Sequence, residues 1–418
     1  MLNMKIEGNH ILEGTIKISG AKNSAVALIP ASILSDEIVT IDNIPNISDI
    51  NALNEILEYL GAKVSKNGST MTIDSSTIFN KEIPENISKK LRASYYFMSA
   101  LLGKYKHVEM YFPGGCSIGS RPIDQTLKGF RALGATVIEE NNKFIIDAEE
   151  LRGAHVHLDM PSVGATVNTM LVAVKAKGET IIENAAREPE IVNIAEFLNN
   201  MGAQITGAGT STIKINGVEK LGGCYTKVIP DRIEAGTYVI AGALMGNNLK
   251  IENLIPEHIE SLIIKLQEMG VKLEVNEDYI IISKTDNLKP VNVKTLGYPG
   301  FPTDLQQPLT TLLATCNGIS ELEETIYENR FQNVEYLNKM GANIEIIDRK
   351  INVNGPIKYH GDIVKATDLR AGACLILAAL SAEGTTTITD IEHVLRGYEN
   401  IQEKLESCGA KIEIEKYN

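Results

Sequence analysis

A short motif returns six times along this chain: "LGAKV" at residue 60, "LGATV" at 133, "MGAQI" at 201, "MGVKL" at 269, "MGANI" at 340 and "CGAKI" at 408. Its glycines, Gly61, Gly134, Gly202, Gly270, Gly341 and Gly409, recur about every 70 residues and fill the chain. Each closes an amphipathic stretch such as "PEIVNIAEFLNNMG" or "NVEYLNKMG" and opens a β-rich run, the pattern of a helix ended by glycine and followed by a strand. A second segment recurs in step: "AKNSAVALIPASIL", "KLRASYYFMSALL", "SVGATVNTMLVAVKA", "DRIEAGTYVIAGALM", "TDLQQPLTTLLAT" and "TDLRAGACLILAAL". These are apolar on most faces and rich in Ala, Gly and Ser, which predicts buried helices that neighbours can approach closely. The period therefore predicts an α/β chain of six repeats, with buried helices surrounded by sheets. Each repeat reads as hairpin strands, buried helix, strand, loop, outer helix and strand.

The two ends of the chain divide the repeats. Elsewhere the strand after the glycine turns back into a second one, as in "GAKVSKNGSTMTID", but the last, "GAKIEIEKYN", stops. Its missing partner is the opening "NMKIEGN". The expectation is an N-terminal lobe at 22–229 and a C-terminal lobe made of 1–21 and 230–418, with three repeats in each and two crossings of the chain. One closed ring or solenoid of six repeats would need a core beyond the usual size of a domain.

Composition works mainly by exclusion. A chain of 418 residues with 44% hydrophobic and 22% charged residues can bury full cores. Its net charge of −13 argues against general binding to nucleic acid or acidic membranes. It has no run of about 18 apolar residues, and "MLNMKIEGNHILEG" lacks the basic-then-apolar plan of a signal peptide, so the expected setting is cytoplasmic. Five cysteines without a C-x-x-C suit a reducing compartment. Cys316 and Cys374 lie in apolar helical text and read as buried. Cys116 differs: in "FPGGCSIGSRPIDQ" it lies among glycines, with Arg121 five residues on.

The buried helices begin with polar residues: Lys22 and Asn23, Arg92, Ser162, Asp231, Asp304, and Asp368 with Arg370. Helix N-termini carry free N–H groups and partial positive charge, which suits phosphate or carboxylate. Plain capping accounts for Ser162, Asp231, Asp304 and Asp368 singly. It does not account for Lys22, Arg92 or Arg370, since a cation there needs a compensating anion. For Asp304 in "PGFPTDLQQP", capping and general-base roles both stay open. Arg187, Glu188 and Glu190 in "ENAAREPEIVN" read as a solvated turn, and Arg396 in "HVLRGYEN" as a surface arginine of a strand-to-helix loop. His155 and His157 share one strand face without a third ligand. The chain shows no dinucleotide fingerprint, zinc spacing or Ser-His-Asp pattern, and no cofactor is expected.

Taken together, "KNS" at 22–24, "PGGCSIGSRPID" at 113–124, "SVGAT" at 162–166, "ENAAREPEIV" at 183–192, "PDRIEAGT" at 230–237, "FPTDLQ" at 301–306, "ENRF" at 328–331, "ATDLRA" at 366–371 and "RGYE" at 396–399 resemble the UDP-N-acetylglucosamine 1-carboxyvinyltransferases. These are enolpyruvyl transferases of the EPSP synthase-like superfamily, and the resemblance runs from the first hairpin to the last strand. It implies two lobes of three inside-out βαβαββ units each, an inside-out α/β barrel. It also implies transfer of the enolpyruvyl group of phosphoenolpyruvate to the 3-hydroxyl of UDP-N-acetylglucosamine, with release of phosphate, the first committed step of peptidoglycan synthesis. The expected partners are these two small molecules, without nucleic acid or membrane, and the expected state is a monomer.

The resemblance also implies roles. Cys116 is the general acid, on a glycine-rich lid that lobe closure carries inward. Lys22, Arg121 and Arg396 clamp phosphoenolpyruvate. Asp304 is the base for the 3-hydroxyl, and Asn23 binds the sugar. Arg92, Arg121, Pro122, Ile123, Asp124, Gln125, Ser162, Val163, Gly164 and Ile326 hold the nucleotide sugar, while Asp368, Leu369 and Arg370 stabilise the charged intermediate. Two positions depart from the family pattern: Thr126 stands where a histidine is usual, and Leu395 where an aspartate is usual. The shikimate-pathway relatives share the fold but have no cysteine lid of this kind. A non-catalytic paralogue would have lost Cys116, Lys22, Asp304 or Arg396, and all four are present.

Overall fold

The six motif glycines all adopt a left-handed backbone, with φ from +89° to +104°. An L side chain is strained there and glycine is not, so each glycine ends its helix and turns the chain into a strand. The helices they end are Ser48–Leu60, Asp124–Ala132, Pro189–Asn200, Glu260–Met269, Asn333–Lys339 and Ile401–Glu406. The computed structural model describes residues 2–114 and 122–416. Cys116 and Arg121 lie outside the described residues, as do Gly115, Ser117, Gly119 and Ser120 of the expected lid.

The second recurring segment forms the inner helices Lys22–Ala31, Tyr95–Tyr105, Val163–Ala173, Arg232–Met245, Thr303–Leu313 and Leu369–Ser381. All 14 residues of Arg232–Met245 are buried, as expected of a helix with no polar face. Among the described residues, six small sheets lie around them. In a complete repeat the first strand, His155–His157, pairs parallel with Glu179–Glu183 across the inner helix Val163–Ala173. Glu179–Glu183 then pairs antiparallel with Thr212–Asn216, which pairs in turn with Gln204–Thr206 beyond the outer helix. The order is βαβαββ. One repeat falls short: its sheet has three strands, and the fourth edge is a single bridge between Ile83 and Met110. Pro84 follows at once; it has no N–H to continue a ladder and leads into the short helix Glu85–Ser88.

The described residues fall into two compact units, 20–114 with 122–229 and 2–19 with 230–416. Each has its own apolar core. In the second unit Leu2–Glu7 is an interior strand, antiparallel to both Thr385–Thr389 and Lys411–Lys416, with Leu2 opposite Lys416. The last strand thus finds the partner its repeat lacks in the opening segment. One βαβ in each unit is split by the crossings. Thr15–Lys17 pairs parallel with Leu249–Glu252, although the helix between them is Arg232–Met245. Cys224–Lys227 pairs parallel with Val39–Asp42, although their helix is Lys22–Ala31. At the first crossing a Cβ on Gly20 would stand 1.7 Å from the Asn43 carbonyl oxygen, so only glycine fits. Among the described residues no helix is long and apolar enough to cross a membrane, and no group of three His, Cys, Asp or Glu could hold a metal ion.

Candidate active site

In the unit built from 2–19 and 230–416, two of the three inner helices are capped by aspartate. Asp231 Oδ1 accepts from the backbone N–H groups of Ile233 (2.8 Å) and Glu234 (2.9 Å), and Asp368 Oδ1 from those of Arg370 (2.8 Å) and Ala371 (3.0 Å). Asp304 does not cap. The cap position of its helix is Pro302, whose side chain makes no cap bond. The carboxylate faces two arginines instead: Arg330 Nη2 donates to Oδ1 at 2.7 Å and Arg370 Nη2 to Oδ2 at 3.0 Å. The capping reading is therefore corrected: two guanidinium groups, each a cation as well as a donor, hold the carboxylate in place of uncharged backbone N–H groups. Burial alone would push the Asp304 carboxyl up, but Arg370 and Arg330 outweigh it and hold it well below the usual carboxylate range. Even so, 24% of the Asp304 side chain stays exposed, so a polar ligand can reach it.

Both arginines belong to a longer buried chain. Arg370 Nη1 donates to the Tyr398 hydroxyl at 3.1 Å, which meets the Thr237 hydroxyl at 2.8 Å. Arg330 Nη1 donates to the Thr303 hydroxyl at 2.8 Å, and Thr303 donates to Glu324 Oε2 at 2.8 Å. The buried Nε of Arg330 has no hydrogen-bond partner among the described residues. The roles assigned from sequence did not include Arg330, Tyr398, Thr303 or Glu324. Arg330, Tyr398 and Thr303 lie inside the quoted "ENRF", "RGYE" and "FPTDLQ" motifs, which is their only signal in the sequence. Ile326 is 41% exposed, with its N–H bonded to Glu324 at 2.8 Å. Arg396 is half-buried and follows the helical turn Glu392–Leu395, rather than lying in a plain strand-to-helix loop.

In the other unit, Lys22 opens its helix with Nζ 2.8 Å from Asp49 Oδ2, a buried carboxylate. The compensating anion that the sequence required thus lies inside the protein, as Asp304 does for Arg370. A cation at these helix starts is therefore no evidence of a ligand by itself. Asn23 follows, half-buried, and the hydroxyl of Ser24 bonds the side chain of Asn193, which also donates to the Lys227 carbonyl at 3.1 Å. Asn193 lies in "ENAAREPEIVN", where Glu190 is buried rather than solvated while Arg187 is exposed.

Arg92 starts a 3₁₀ turn, Arg92–Ser94, ahead of the helix Tyr95–Tyr105, with its guanidinium 5.9 Å from the Tyr95 ring centre. The Tyr95 hydroxyl would lie 2.0 Å from a Cβ on Gly164, so the structure brings Arg92 and the Ser162–Val163–Gly164 turn to one place. Ser162 caps that turn, accepting from Ala165 N–H at 3.2 Å. Pro122 and Asp124 are exposed and Ile123 half-buried, while Gln125 exchanges two bonds of 2.8 Å with Asp159. Of the family departures, Thr126 is buried and Leu395 packs against the core of its unit. His155 and His157 are both bound to the half-buried Glu183, at 3.1 and 3.5 Å. Burial pushes the Cys224 thiol up to about 11 and those of Cys316 and Cys374 up to about 12, which keeps them unreactive.

This chain matches the family described as EPSP synthase (3-phosphoshikimate 1-carboxyvinyltransferase) across residues 6–405. It is 56% identical over 416 residues to UDP-N-acetylglucosamine 1-carboxyvinyltransferase 2 of Geobacillus kaustophilus (strain HTA426), covering 100% of this chain and 97% of that protein. The chain belongs to the EPSP synthase family, among its UDP-N-acetylglucosamine 1-carboxyvinyltransferases. The protein of the same name from Bacillus subtilis (strain 168) is 52% identical over 413 residues, covering 99% and 96% of the two chains. Among solved structures, the enolpyruvyl transferase NikO from Streptomyces tendae superposes with a TM-score of 0.91 at 28% identity over 99% of both chains. An EPSP synthase from Acinetobacter baumannii superposes at 0.78 with 19% identity over the whole of both chains, a likeness of fold alone. The residues to which the sequence resemblance assigns substrate roles belong to both units: Lys22, Asn23, Arg92 and Ser162–Gly164 to one, and Asp304, Ile326, Asp368, Arg370 and Arg396 to the other.

Proposed function

We propose that this protein transfers the enolpyruvyl group of phosphoenolpyruvate to the 3-hydroxyl of UDP-N-acetylglucosamine and releases phosphate, opening peptidoglycan synthesis. Cys116 gives a proton to C3 of phosphoenolpyruvate, C2 becomes cationic, and the sugar oxygen bonds to C2 while its proton passes to Asp304. The tetrahedral intermediate then returns a C3 proton to the Cys116 thiolate as the C2–C3 double bond re-forms, and phosphate leaves with the proton that Asp304 took up. Lys22, Arg121 and Arg396 hold the phosphoenolpyruvate charges. Asn23, Arg92, Pro122 to Gln125, Ser162 to Gly164 and Ile326 hold the nucleotide sugar, and Asp368 and Arg370 steady the developing charge.

The observation that carries the reading is the Asp304 carboxylate, ionised between Arg330 and Arg370 and partly open to solvent. Held so low, it is a poor base in the free enzyme. Its strength rises when an anionic substrate draws a guanidinium away and closes off water. The reading includes a cytoplasmic monomer that binds no nucleic acid, in keeping with a net charge of −13. Phosphate release from phosphoenolpyruvate should require UDP-N-acetylglucosamine and should not proceed with shikimate 3-phosphate. Turnover with the shikimate substrate alone would refute the assignment.

A further inference from the structure

Glu324 has no role in the assignments above, yet it is 1% exposed and wholly engaged. Its Oε1 accepts from the Thr295 hydroxyl (3.0 Å) and the N–H groups of Ile326 (2.8 Å) and Tyr327 (3.1 Å), and its Oε2 from the Thr303 hydroxyl (2.8 Å). Four donors meet the carboxylate, three on Oε1 and one on Oε2. Bonds of this number offset the cost of burying such a group and tie it to the elements that supply the donors.

What those bonds fix lies on both sides. Because Thr303 donates to Glu324, its lone pairs are turned to Arg330 Nη1 at 2.8 Å, and the same guanidinium reaches Asp304 Oδ1 at 2.7 Å. The other oxygen of Glu324 holds the backbone of the Ile326–Tyr327 turn, and the Tyr327 ring lies 5.0 Å from the Arg330 guanidinium. We propose that Glu324 is a positioning residue: through Thr303 it orients the Arg330–Asp304 pair, and through its second oxygen it holds the Ile326 turn in register with that pair. The inference rests on the proposed function, in which Asp304 takes the proton of the sugar hydroxyl and Ile326 lies against the nucleotide sugar.

The test compares E324Q, T303V and T303S with wild type in kcat, KM and pH profile, together with crystal structures of all four. In E324Q an amide NH2 must face either the Ile326 and Tyr327 N–H groups, donor against donor, or the Thr303 hydroxyl, which must then accept from it and turn its own proton toward the Arg330 side. We expect kcat to fall roughly 10- to 100-fold in E324Q and T303V, the loss that a displaced reacting group brings, with T303S within about twofold of wild type. KM for UDP-N-acetylglucosamine rises in E324Q but not in T303V, which leaves the Ile326 turn intact. A slackened Arg330 lets the Asp304 carboxyl rise, so the acid limb of kcat moves to higher pH in both variants. Wild-type kcat and pH profile in E324Q, or T303S as impaired as T303V, overturns the proposal. So does a crystal structure of E324Q with Arg330 still bonded to both Thr303 and Asp304, whatever the turnover. If E324Q does not fold, the Thr303 pair decides the matter. Wild-type protein inactive on these substrates defeats the functional reading instead, and the structures still decide the positioning.

Discussion

Asp304 carries opposing demands: the arginines that keep it ionised also make it a weak base. Replacing it with asparagine keeps the shape but leaves Arg330 and Arg370 without a counter-charge. Asp304→Asn should retain affinity for UDP-N-acetylglucosamine within an order of magnitude and lose roughly 10²- to 10⁴-fold in turnover, the share of general-base catalysis. Its melting temperature should also fall, since removing one partner of a buried pair exposes the cost of the other. Titration calorimetry, a phosphate-release assay and a thermal melt on one preparation check this. Equal losses in binding and turnover would make Asp304 a binding residue only. Glu234 offers a pH signature of the opposite sign. Burial pushes its carboxyl up to about 7, against the pull of Lys404 Nζ at 2.6 Å and the Ser19 N–H at 2.7 Å. A carboxyl that holds its proton longer when folded loses stability as pH rises from its unfolded value to its folded one. Wild type should therefore lose stability relative to Glu234→Gln between about pH 4.5 and 7, on the order of 3 kcal/mol, and no more above that range. Urea unfolding at pH 5 and pH 8 measures the difference.

The elements set the helix starts to within the reach of one another's side chains. Gly164 illustrates this, since any Cβ there would strike the Tyr95 hydroxyl at 2.0 Å, and Tyr95 also lies beneath Arg92. Gly164→Ala should lower the melting temperature and raise KM for the nucleotide sugar, with a smaller effect on kcat. The obstacle is the far end of one side chain, so Tyr95→Phe on the Gly164→Ala background should restore part of both losses. Steady-state kinetics and melts of the two single variants and the double variant test this. An additive double variant would show that the two residues do not meet. The outer helices are governed otherwise: their ends follow from the left-handed glycines, a local property that needs no neighbour.

For the whole molecule, the consequence lies in where the chain leaves one unit and returns. Every strand of the three sheets around Lys22–Ala31, Tyr95–Tyr105 and Val163–Ala173 comes from within residues 39–227, and their core runs from Ala21 to Val228. The segment 20–229 expressed alone should therefore fold cooperatively. The segment 230–418 should not, because Leu2–Glu7 is an interior strand of one of its sheets and Thr15–Lys17 an edge of another. Supplying residues 2–19 at its C-terminus through a short linker should restore folding, since Leu2 lies opposite Lys416. Circular dichroism melts of the three fragments decide it, and a cooperative transition in 230–418 alone would sink the argument.

The repeat and its period were legible from the chain alone, because they depend on local chemistry. A glycine tolerates φ near +100°, small apolar residues make a buried helix, and a strand without a partner needs one. The motif residues could likewise be picked out as residues, down to Lys22 and Asp304. Their partners could not. No spacing ties Asp49 to Lys22, Arg330 and Arg370 to Asp304, or Glu324 to Thr303. Those pairs form where separate elements are brought side by side, and a charge's strength as acid, base or clamp is set by what lies within hydrogen-bond reach of it. Sequence determined which groups the protein carries and the repeat that holds them. Only the tertiary structure decided that Asp304 faces two arginines instead of capping its helix.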